Sequence, residues 1–175
     1  MQSDLTEQTD FGETGDPESI GMDEEMAMRA RAGGFRIIGP NCIGVCCPEH
    51  GIPFGPCILS VEAGSVGFIS QSGGHAGKMM GIAATRHIGF SKVVSTGNGS
   101  DLGSADFLEY LSADPKTGVI GLYLEGPRDS RRLIEVMAAA SQKKPIVVWK
   151  GGRASIQVEV TIIPTSFRTH TPSIP

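Results

Sequence analysis

The sequence predicts an α/β fold in which helices cover both faces of a parallel sheet. Four short, almost uninterrupted apolar segments are typical of strands that are buried on both faces. Segments with helical periodicity separate them, and this alternation is typical of parallel sheets. The predicted strands cover residues 66–70, 91–95, 119–124 and 145–149, and the predicted helices cover residues 76–87, 104–113 and 130–142. In such folds, ligands bind beyond the carboxyl ends of the strands.

Before the first predicted strand, turn signals alternate with short elements. Residues 1–19 are acidic and turn-rich, so we expect a loop there. Asp23 is placed to cap a short helix through Ala32, because two acidic residues follow it and two glycines would stop the helix. We expect a short strand over residues 35–38 and then an irregular stretch to about Gly64.

The third helix and the C-terminal segment complete the expected architecture. The apolar residues of the third helix recur at helical spacing, so they are expected to face the sheet. They are Leu133, Ile134, Met137 and Ala140. Residues 153–175 contain three prolines, few helix formers and no clear periodicity, so we expect an irregular tail.

Composition limits the classes of partner and the location. With 175 residues, the chain is long enough for one ordinary domain, or for one domain and part of another. Its net charge of −4 gives no basic patch for nucleic acid or for an anionic membrane. It has no apolar stretch as long as a membrane span and no signal peptide, so we expect a cytoplasmic protein.

The four cysteines lie close together, but they do not form a typical metal site. They are Cys42, Cys46, Cys47 and Cys57. No two of them have the CxxC spacing, and the adjacent pair cannot easily bind one ion. We therefore expect reduced, semi-buried thiols and no metal site.

The turn after the first predicted strand is the strongest candidate for a binding site. It consists of Ser70, Gln71, Ser72, Gly73 and Gly74, after which a helical pattern begins. A helix that starts there presents free backbone N–H groups and the positive end of its dipole, which suit a phosphate or another small anion. From the turn alone, an ordinary connection with Ser72 as the N-cap is the simpler interpretation.

Several blocks of sequence favour the phosphate interpretation. They cover residues 35–44 (FRIIGPNCIG), 67–74 (GFISQSGG), 88–95, 97–98, 114–120, 123–126 (YLEG) and 144–152 (KPIVVWKGG). Together, and in this order, they resemble the family of ADP-forming acyl-CoA synthetases, relatives of the succinyl-CoA synthetase α subunit. The resemblance covers about residues 11–152.

The resemblance implies a division of the chain. Residues 1–44 resemble the C-terminal remnant of a Rossmann-like CoA-binding domain, and residues 45–64 a linker. Residues 65–152 resemble the flavodoxin-like ligase domain, and residues 153–175 remain the irregular tail. Because the usual glycine-rich CoA loop is absent, we do not expect this chain to bind CoA by itself.

The resemblance also implies a reaction and partners. The family interconverts acyl-CoA, ADP and phosphate with a carboxylic acid, CoA and ATP, through an acyl phosphate and a phosphohistidine. The complete enzyme uses CoA and ADP or ATP with Mg, and an ATP-grasp domain or subunit is the expected partner. We expect exposed apolar surface and association with another subunit or with a second copy of the chain.

Site residues follow from the matching blocks. The turn from Ser70 to Gly74 matches the phosphate-facing turn, and Glu125 matches the family's glutamate that orients the phosphohistidine. The alternative for Glu125 is a solvated residue in a Gly-Pro turn. No more than minor roles are assigned to His75, Asn41 and Asn98.

The phosphorylated histidine is not identified. His75 lies in a Gly-His-Ala-Gly sequence like the one around the phosphohistidine of the succinyl branch, but it opens the first helix instead of following the last strand. In the relatives with the most similar pattern, the histidine lies in a Ser-His-Thr element soon after the Lys-Gly-Gly block. The chain has only Thr169-His170-Thr171, further along.

Two functional hypotheses remain open at this point. The first is a fragment of an ADP-forming acyl-CoA synthetase that supplies the phosphate-binding helix N-terminus. The second is a non-catalytic module that binds CoA or phosphate and regulates a larger or multi-subunit protein. Catalytic activity of the chain alone is therefore left undecided.

Overall fold

The described parts of the chain contain six strands, four α-helices and one 3-10 helix of three residues, Pro48–His50. The computed structural model describes residues 17–53, 61–151 and 159–163. The strands are β1 (Gly44–Cys46), β2 (Ala63–Ser70), β3 (Phe90–Ser95), β4 (Val119–Leu124), β5 (Ile146–Lys150) and β6 (Glu159–Ile163). The helices are α1 (Pro17–Ala32), α2 (Gly73–Thr85), α3 (Ser104–Ala113) and α4 (Ser130–Ser141). Within the described ranges, no helix is both long and apolar enough to cross a lipid bilayer.

The strands form one sheet in the order β1-β3-β2-β4-β5-β6. The four central strands are parallel, which confirms the predicted α/β fold. An antiparallel strand that the sequence analysis did not predict lies at each edge, with β1 beside β3 and β6 beside β5. The expectation of a wholly irregular tail is therefore wrong for residues 159–163, where β-branched residues favour a strand.

The helices bury apolar residues against both faces of the sheet. On one face, Met80 and Ala83 of α2 belong to a cluster with Phe68, Phe90 and Val93. On the other face, α3 and α4 pack against the opposite side chains of the same strands. That cluster includes Ile69, Leu108, Leu111, Ile120 and Leu133. Because successive side chains of a strand point to opposite faces, Phe68 and Ile69 contribute to different layers.

Helix α1 begins earlier than expected. It starts at Pro17, and proline is favoured at the first helical position because an N–H there would have no helical partner. The expectation of a loop over residues 1–19 is therefore wrong from Pro17 onward, where the helix begins. Asp23 lies inside the helix and is not its N-cap. Its side chain is buried and accepts a hydrogen bond from Ser100 Oγ at 2.8 Å.

Two further expectations differ from the structure. Residues 35–38 do not form a strand, and Ile38 makes only a single bridge to Leu102. Ile134 is 65% exposed, although it was predicted to face inward. The buried positions of α4 include Leu133 and Ala140, which are seven residues apart and share a face that excludes Ile134.

A buried carboxylate connects the N-terminal segment to the loop after β3. The side chain of Asp101 is fully enclosed and accepts hydrogen bonds from Arg31 Nε and Arg36 Nε, both at 2.8 Å. The backbone N–H of Ile37 donates to the same carboxylate at 2.9 Å. The pKa of Asp101 is held far below its usual range, first by the hydrogen bond from Arg36.

The Asp101 network predicts a loss of stability when the carboxylate is neutralised. We expect Asp101→Asn to lower the free energy of unfolding by about 2 kcal/mol at neutral pH, because Arg31, Arg36 and the N–H of Ile37 lose a charged acceptor. Since the folded-state pKa is depressed, this contribution is present above the ordinary aspartate pKa and is lost as the pH falls below it. Urea unfolding at several pH values measures both effects.

Glu25→Gln is the matched control, because Glu25 makes an exposed ion pair with Arg29 within α1. We expect it to change stability by less than about 0.5 kcal/mol. Equal effects of the two substitutions would contradict the structural role of Asp101.

Candidate functional site

The candidate site lies at the carboxyl edge of the sheet, between β2 and β4. These two strands are parallel neighbours, with Ser70 opposite Tyr123. The chain leaves β2 to form α2 on one face, and it leaves β4 to form α4 on the other. Neighbouring connections that diverge in this way open a crevice, which is the usual ligand site of such folds.

Hydrogen bonds fold the turn that follows β2. Ser70 Oγ donates to the carbonyl of Ser72 at 2.6 Å and accepts the backbone N–H of Ser72 at 3.2 Å. Ser72 is the N-cap of α2, as the simpler interpretation of the sequence predicted, and its Oγ accepts the N–H of His75 at 3.4 Å. Ser72 therefore caps α2 and orients the first turn of the helix.

The first turn of α2 presents two available donors. The first helical hydrogen bond runs from Ala76 N to the Ser72 carbonyl at 3.0 Å. Among the described residues, the backbone N–H groups of Gly73 and Gly74 have no hydrogen-bond partner. Gly73 also packs closely, since a Cβ there would lie 2.6 Å from Ile43 Cγ1. Two free N–H groups at the positive end of a helix suit a small anion.

Glu125 is held next to this turn by two side chains. Gln71 Oε1 accepts the backbone N–H groups of Glu125 and Gly126 at 2.6 and 3.0 Å. Tyr123 OH donates to Glu125 Oε1 at 3.0 Å. Gln71 therefore fixes the main chain of the Glu125 loop, while Tyr123 orients the carboxylate. Glu125 is exposed, as the alternative of a solvated glutamate expects, and it makes these contacts as well.

Three aromatic rings border the turn. The His75 ring stacks on Tyr123 with centroids 4.2 Å apart and an interplanar angle of 14°. Trp149 meets both rings edge-on, at 5.3 Å from His75 and 4.9 Å from Tyr123. Burial raises the pKa of Tyr123, and the hydrogen bond to Glu125 acts in the same direction. The phenol therefore stays a proton donor to the carboxylate at neutral pH.

Asn41 and Asn98 lie on two loops that pack against each other beside Ser70. The N–H of Asn98 donates to the Pro40 carbonyl at 3.0 Å, and the N–H of Thr96 donates to the Ser70 carbonyl at 2.8 Å. Gly97 has φ +53, and a Cβ there would lie 2.0 Å from Pro40 O, so only glycine permits this approach. The two asparagines thus belong to the loops that support the turn.

The sequence analysis missed two residues that contact Glu125. Tyr123 is the first, and Lys150 is the second, because its Nζ donates to the carbonyl oxygens of Glu125 and Gly151 at 3.1 and 3.0 Å. Both lie at or next to the carboxyl end of a predicted strand, and that position was the available signal. His170 and Cys57 lie outside the described residues.

The thiols and acids of the described residues do not form a metal centre. Cys46 and Cys47 are buried and Cys42 is half-buried. Burial raises the pKa of the Cys42 thiol. No group of three or more histidine, cysteine, aspartate or glutamate side chains in the described ranges could hold a metal ion.

Comparison with known proteins identifies the family. Residues 63–166 match the family described as the succinyl-CoA ligase like flavodoxin domain. The chain belongs to this family. The flavodoxin-like ligase domain that the sequence blocks implied is therefore confirmed, and strands β2 to β6 lie within the matched residues.

Two named relatives are identical to this chain at between one third and two fifths of the aligned residues. The α subunit of ADP-forming acetate–CoA ligase II from Pyrococcus furiosus is 40% identical over 144 residues, which cover 82% of this chain and 31% of that subunit. An ADP-forming 4-hydroxybutyrate–CoA ligase from Nitrosopumilus maritimus is 33% identical and covers 76% of this chain and 21% of its own length. The chain thus spans less than a third of either relative.

A solved structure supports the same family. It is the dinucleotide forming acetyl-coenzyme A synthetase 1 of Ca. Korarchaeum cryptofilum in complex with phosphate and ADP. It is 40% identical to this chain, with a TM-score of 0.69, and the match covers 80% of this chain and 30% of that one.

The bridging role of Gln71 makes a testable prediction. In Gln71→Ala, the N–H groups of Glu125 and Gly126 lose their acceptor, so we expect their hydrogen exchange to accelerate about tenfold. Exchange measured by NMR tests this, and the amides of Leu108 and Leu111 in α3 serve as internal controls. Unchanged exchange at both loop amides would contradict the bridge.

Proposed function

We propose that this domain supplies the phosphate-binding turn and the orienting glutamate of an ADP-forming acyl-CoA ligase. One observation carries the proposal: the turn with the free N–H groups of Gly73 and Gly74 is joined by Gln71 to the loop of Glu125, whose carboxylate Tyr123 orients. The relatives named above act on acetate and 4-hydroxybutyrate, so we assign a carboxylic acid as the substrate class and no particular acid.

The turn would hold the phosphoryl group while it changes partners. Such a group is strongly anionic, and it must be kept still and partly neutralised during transfer. Backbone donors at a helix N-terminus do this with little reorganisation. We assign this role to the turn from Ser70 to Gly74, with Ser70 and Gln71 shaping it and Ser72, Gly73 and Gly74 facing the anion.

Glu125 would act on a histidine that accepts the phosphoryl group. A carboxylate bonded to one imidazole nitrogen fixes the tautomer and leaves the other nitrogen as the nucleophile. Tyr123 and Lys150 contact Glu125 at its carboxylate and at its carbonyl, so they would set the angle at which it meets the ring. The histidine remains to be identified.

Cofactors and partners are proposed for the complete enzyme. In the direction of ATP synthesis, phosphate would displace CoA from the acyl group, and ADP with Mg would accept the phosphoryl group; no described residue is assigned to the metal. An ATP-grasp domain or subunit is the proposed partner. Met22, Met28 and Phe35 are 49%, 61% and 58% exposed, so the N-terminal segment offers apolar surface to a partner or a second copy. We propose that the assembly works in the cytoplasm.

A phosphate titration followed by amide NMR tests the binding role. We expect inorganic phosphate to shift the amides of Gly73 and Gly74 most, because their N–H groups are free to donate. Ser72→Ala removes the cap and should weaken binding about fivefold. Ser130→Ala is the matched control, since Ser130 opens α4. Equal shifts throughout the chain would contradict the site.

A reconstituted ligase tests the catalytic role. The chain alone should give no acyl-CoA-dependent ATP synthesis, and added CoA-binding and ATP-grasp subunits of a relative should restore it. Glu125→Gln should then slow phosphohistidine formation at least about 100-fold, because the amide cannot carry the charge that orients the ring. Radiolabelled phosphate transfer measures the rate.

Glu135→Gln is the control for this assay, because Glu135 is an exposed partner of Arg131 on α4. Full activity in Glu125→Gln would overturn the catalytic role and favour a regulatory module. In that case, CoA or phosphate should change the activity of the partner enzyme.

A further inference from the structure

A small polar cavity lies at the carboxyl edge of the sheet, between the first turns of α3 and α4. Its volume is about 190 Å³, and the loops after β3 and β4 complete its walls. Of the turn from Ser70 to Gly74, only Gln71 lines it, so the cavity is separate from the free N–H groups of Gly73 and Gly74. A protein cavity of about 150 Å³ holds benzene, so a ligand here would have roughly six to eight non-hydrogen atoms.

Asn98 contributes an amide without partners to this cavity. The side-chain nitrogen and oxygen are both enclosed, and neither has a hydrogen-bond partner within the described ranges. Most enclosed polar groups in folded proteins are paired, because an unpaired one lowers stability. The amide therefore offers one donor and one acceptor that the folded chain does not use.

The backbone gives no reason for an asparagine at this position. The loop is fixed through its main chain, since the N–H of Asn98 donates to the Pro40 carbonyl at 3.0 Å. Asparagine is favoured where the backbone is left-handed, but here Gly97 and Gly99 adopt positive φ and Asn98 does not. Neither the turn nor a side-chain contact accounts for the amide, which is thus available to a ligand.

Further donors line the same cavity. The backbone N–H groups of Ser104 and Ala105, in the first turn of α3, have no partner in the described parts of the chain. Arg128 also lines the cavity, and its Nη1 lies 3.8 Å from Asp23 Oδ2, which is too far for a hydrogen bond. Two N–H groups and a guanidinium with unused donors suit a carboxylate.

The acidic side chains in the walls are already engaged. Asp106 pairs with Arg132 at 2.8 Å, and Asp101 is held by two arginines of the N-terminal segment. Asp129 caps α4 by accepting the N–H of Arg132 at 2.9 Å. An anion in the cavity would therefore meet no acidic side chain that lacks a partner.

We propose that this cavity binds a short hydroxy acid. Its carboxylate would accept from the N–H groups of Ser104 and Ala105 and from Asn98 Nδ2, with Arg128 supplying a positive charge. Its hydroxyl would donate to Asn98 Oδ1, whereas an acid without a hydroxyl has no proton for that oxygen. The inference goes beyond the proposed function, which places an anion at the turn after β2 and assigns no residue to the acid.

Pairs of acids that differ by one hydroxyl test the proposal. Lactate and propionate share a carbon skeleton, as do 3-hydroxybutyrate and butyrate. We expect at least one hydroxy acid to bind the 175-residue chain about tenfold more tightly than its counterpart, because the counterpart leaves Asn98 Oδ1 unpaired. NMR titration measures the affinity, and the side-chain NH2 of Asn98 and the amides of Ser104 and Ala105 should shift most.

Lactamide tests the requirement for a negative charge. It keeps the hydroxyl of lactate and replaces the carboxylate with a neutral amide. We expect it to bind at least about tenfold more weakly than lactate, because hydrogen bonds to a charged acceptor are stronger. Binding as tight as that of lactate would overturn the assignment to an acid.

Two variants test the contacts. Asn98→Leu should remove the preference for the hydroxyl. It should also unfold at a urea concentration at least as high as that of the unchanged chain, because an apolar side chain of similar shape replaces an unpaired amide. Arg128→Gln should weaken lactate binding about fivefold. Arg131→Gln is the matched control and should bind lactate normally, since Arg131 is exposed on α4 and pairs with Glu135.

The outcomes separate this inference from the proposed function. Equal affinity within both acid pairs, or no binding of any acid, would overturn the inference. Lower stability of Asn98→Leu would also overturn it, because the amide would then serve the fold. If phosphate shifts the amides of Gly73 and Gly74 while no acid binds, only this inference fails. If lactate binds while phosphate leaves those amides unchanged, only the proposed anion site fails.

Discussion

The parallel pairing of β2 with β4 is the constraint on which the candidate site depends. Because Ser70 lies opposite Tyr123, the chain leaves both strands side by side, and the N–H of Gln71 reaches the Tyr123 carbonyl at 3.1 Å. The Gln71 side chain then returns to the loop of Glu125. A register slip of one residue would send Tyr123 to the opposite face and separate it from His75. The pairing of β2 with β4 therefore sets the positions of the site residues, and the loops supply the remaining contacts.

Polar contacts attach the N-terminal segment to this sheet. Among the described side chains of α1, the buried apolar ones are Ala27 and Ala30, which are small and contribute little hydrophobic stabilisation. The attachment therefore depends on Asp23 and on Asp101, two enclosed carboxylates that join α1 and its following segment to the loop after β3. Such contacts are directional, so they fix the position of the segment more strictly than apolar packing would.

The sequence predicted the regular elements well and the contacts between distant residues poorly. Strand β4 and helix α3 match their predicted bounds, because apolar periodicity is a local property of the chain. Asp23 was interpreted as an N-cap, since a local pattern cannot show that its partner is Ser100, 77 residues away. The turn from Ser70 to Gly74 was predicted from its residues, whereas the contacts of Tyr123 and Lys150 with Glu125 follow from strand order. Edge strand β1 was missed because it has only three residues, and β6 was missed because the sequence around it contains prolines and shows no clear periodicity.

The two antiparallel edge strands have a consequence for the independence of the domain. Both lie outside residues 65–152, the range that the sequence assigned to the ligase domain. If the domain were cut to that range, β3 and β5 would each present a row of unpaired N–H and C=O groups to solvent. Exposed edges of this kind pair readily with other chains, so the shortened domain would be prone to aggregate. The short strands β1 and β6 thus cover the edges of β3 and β5 and limit the pairing of this sheet with other chains.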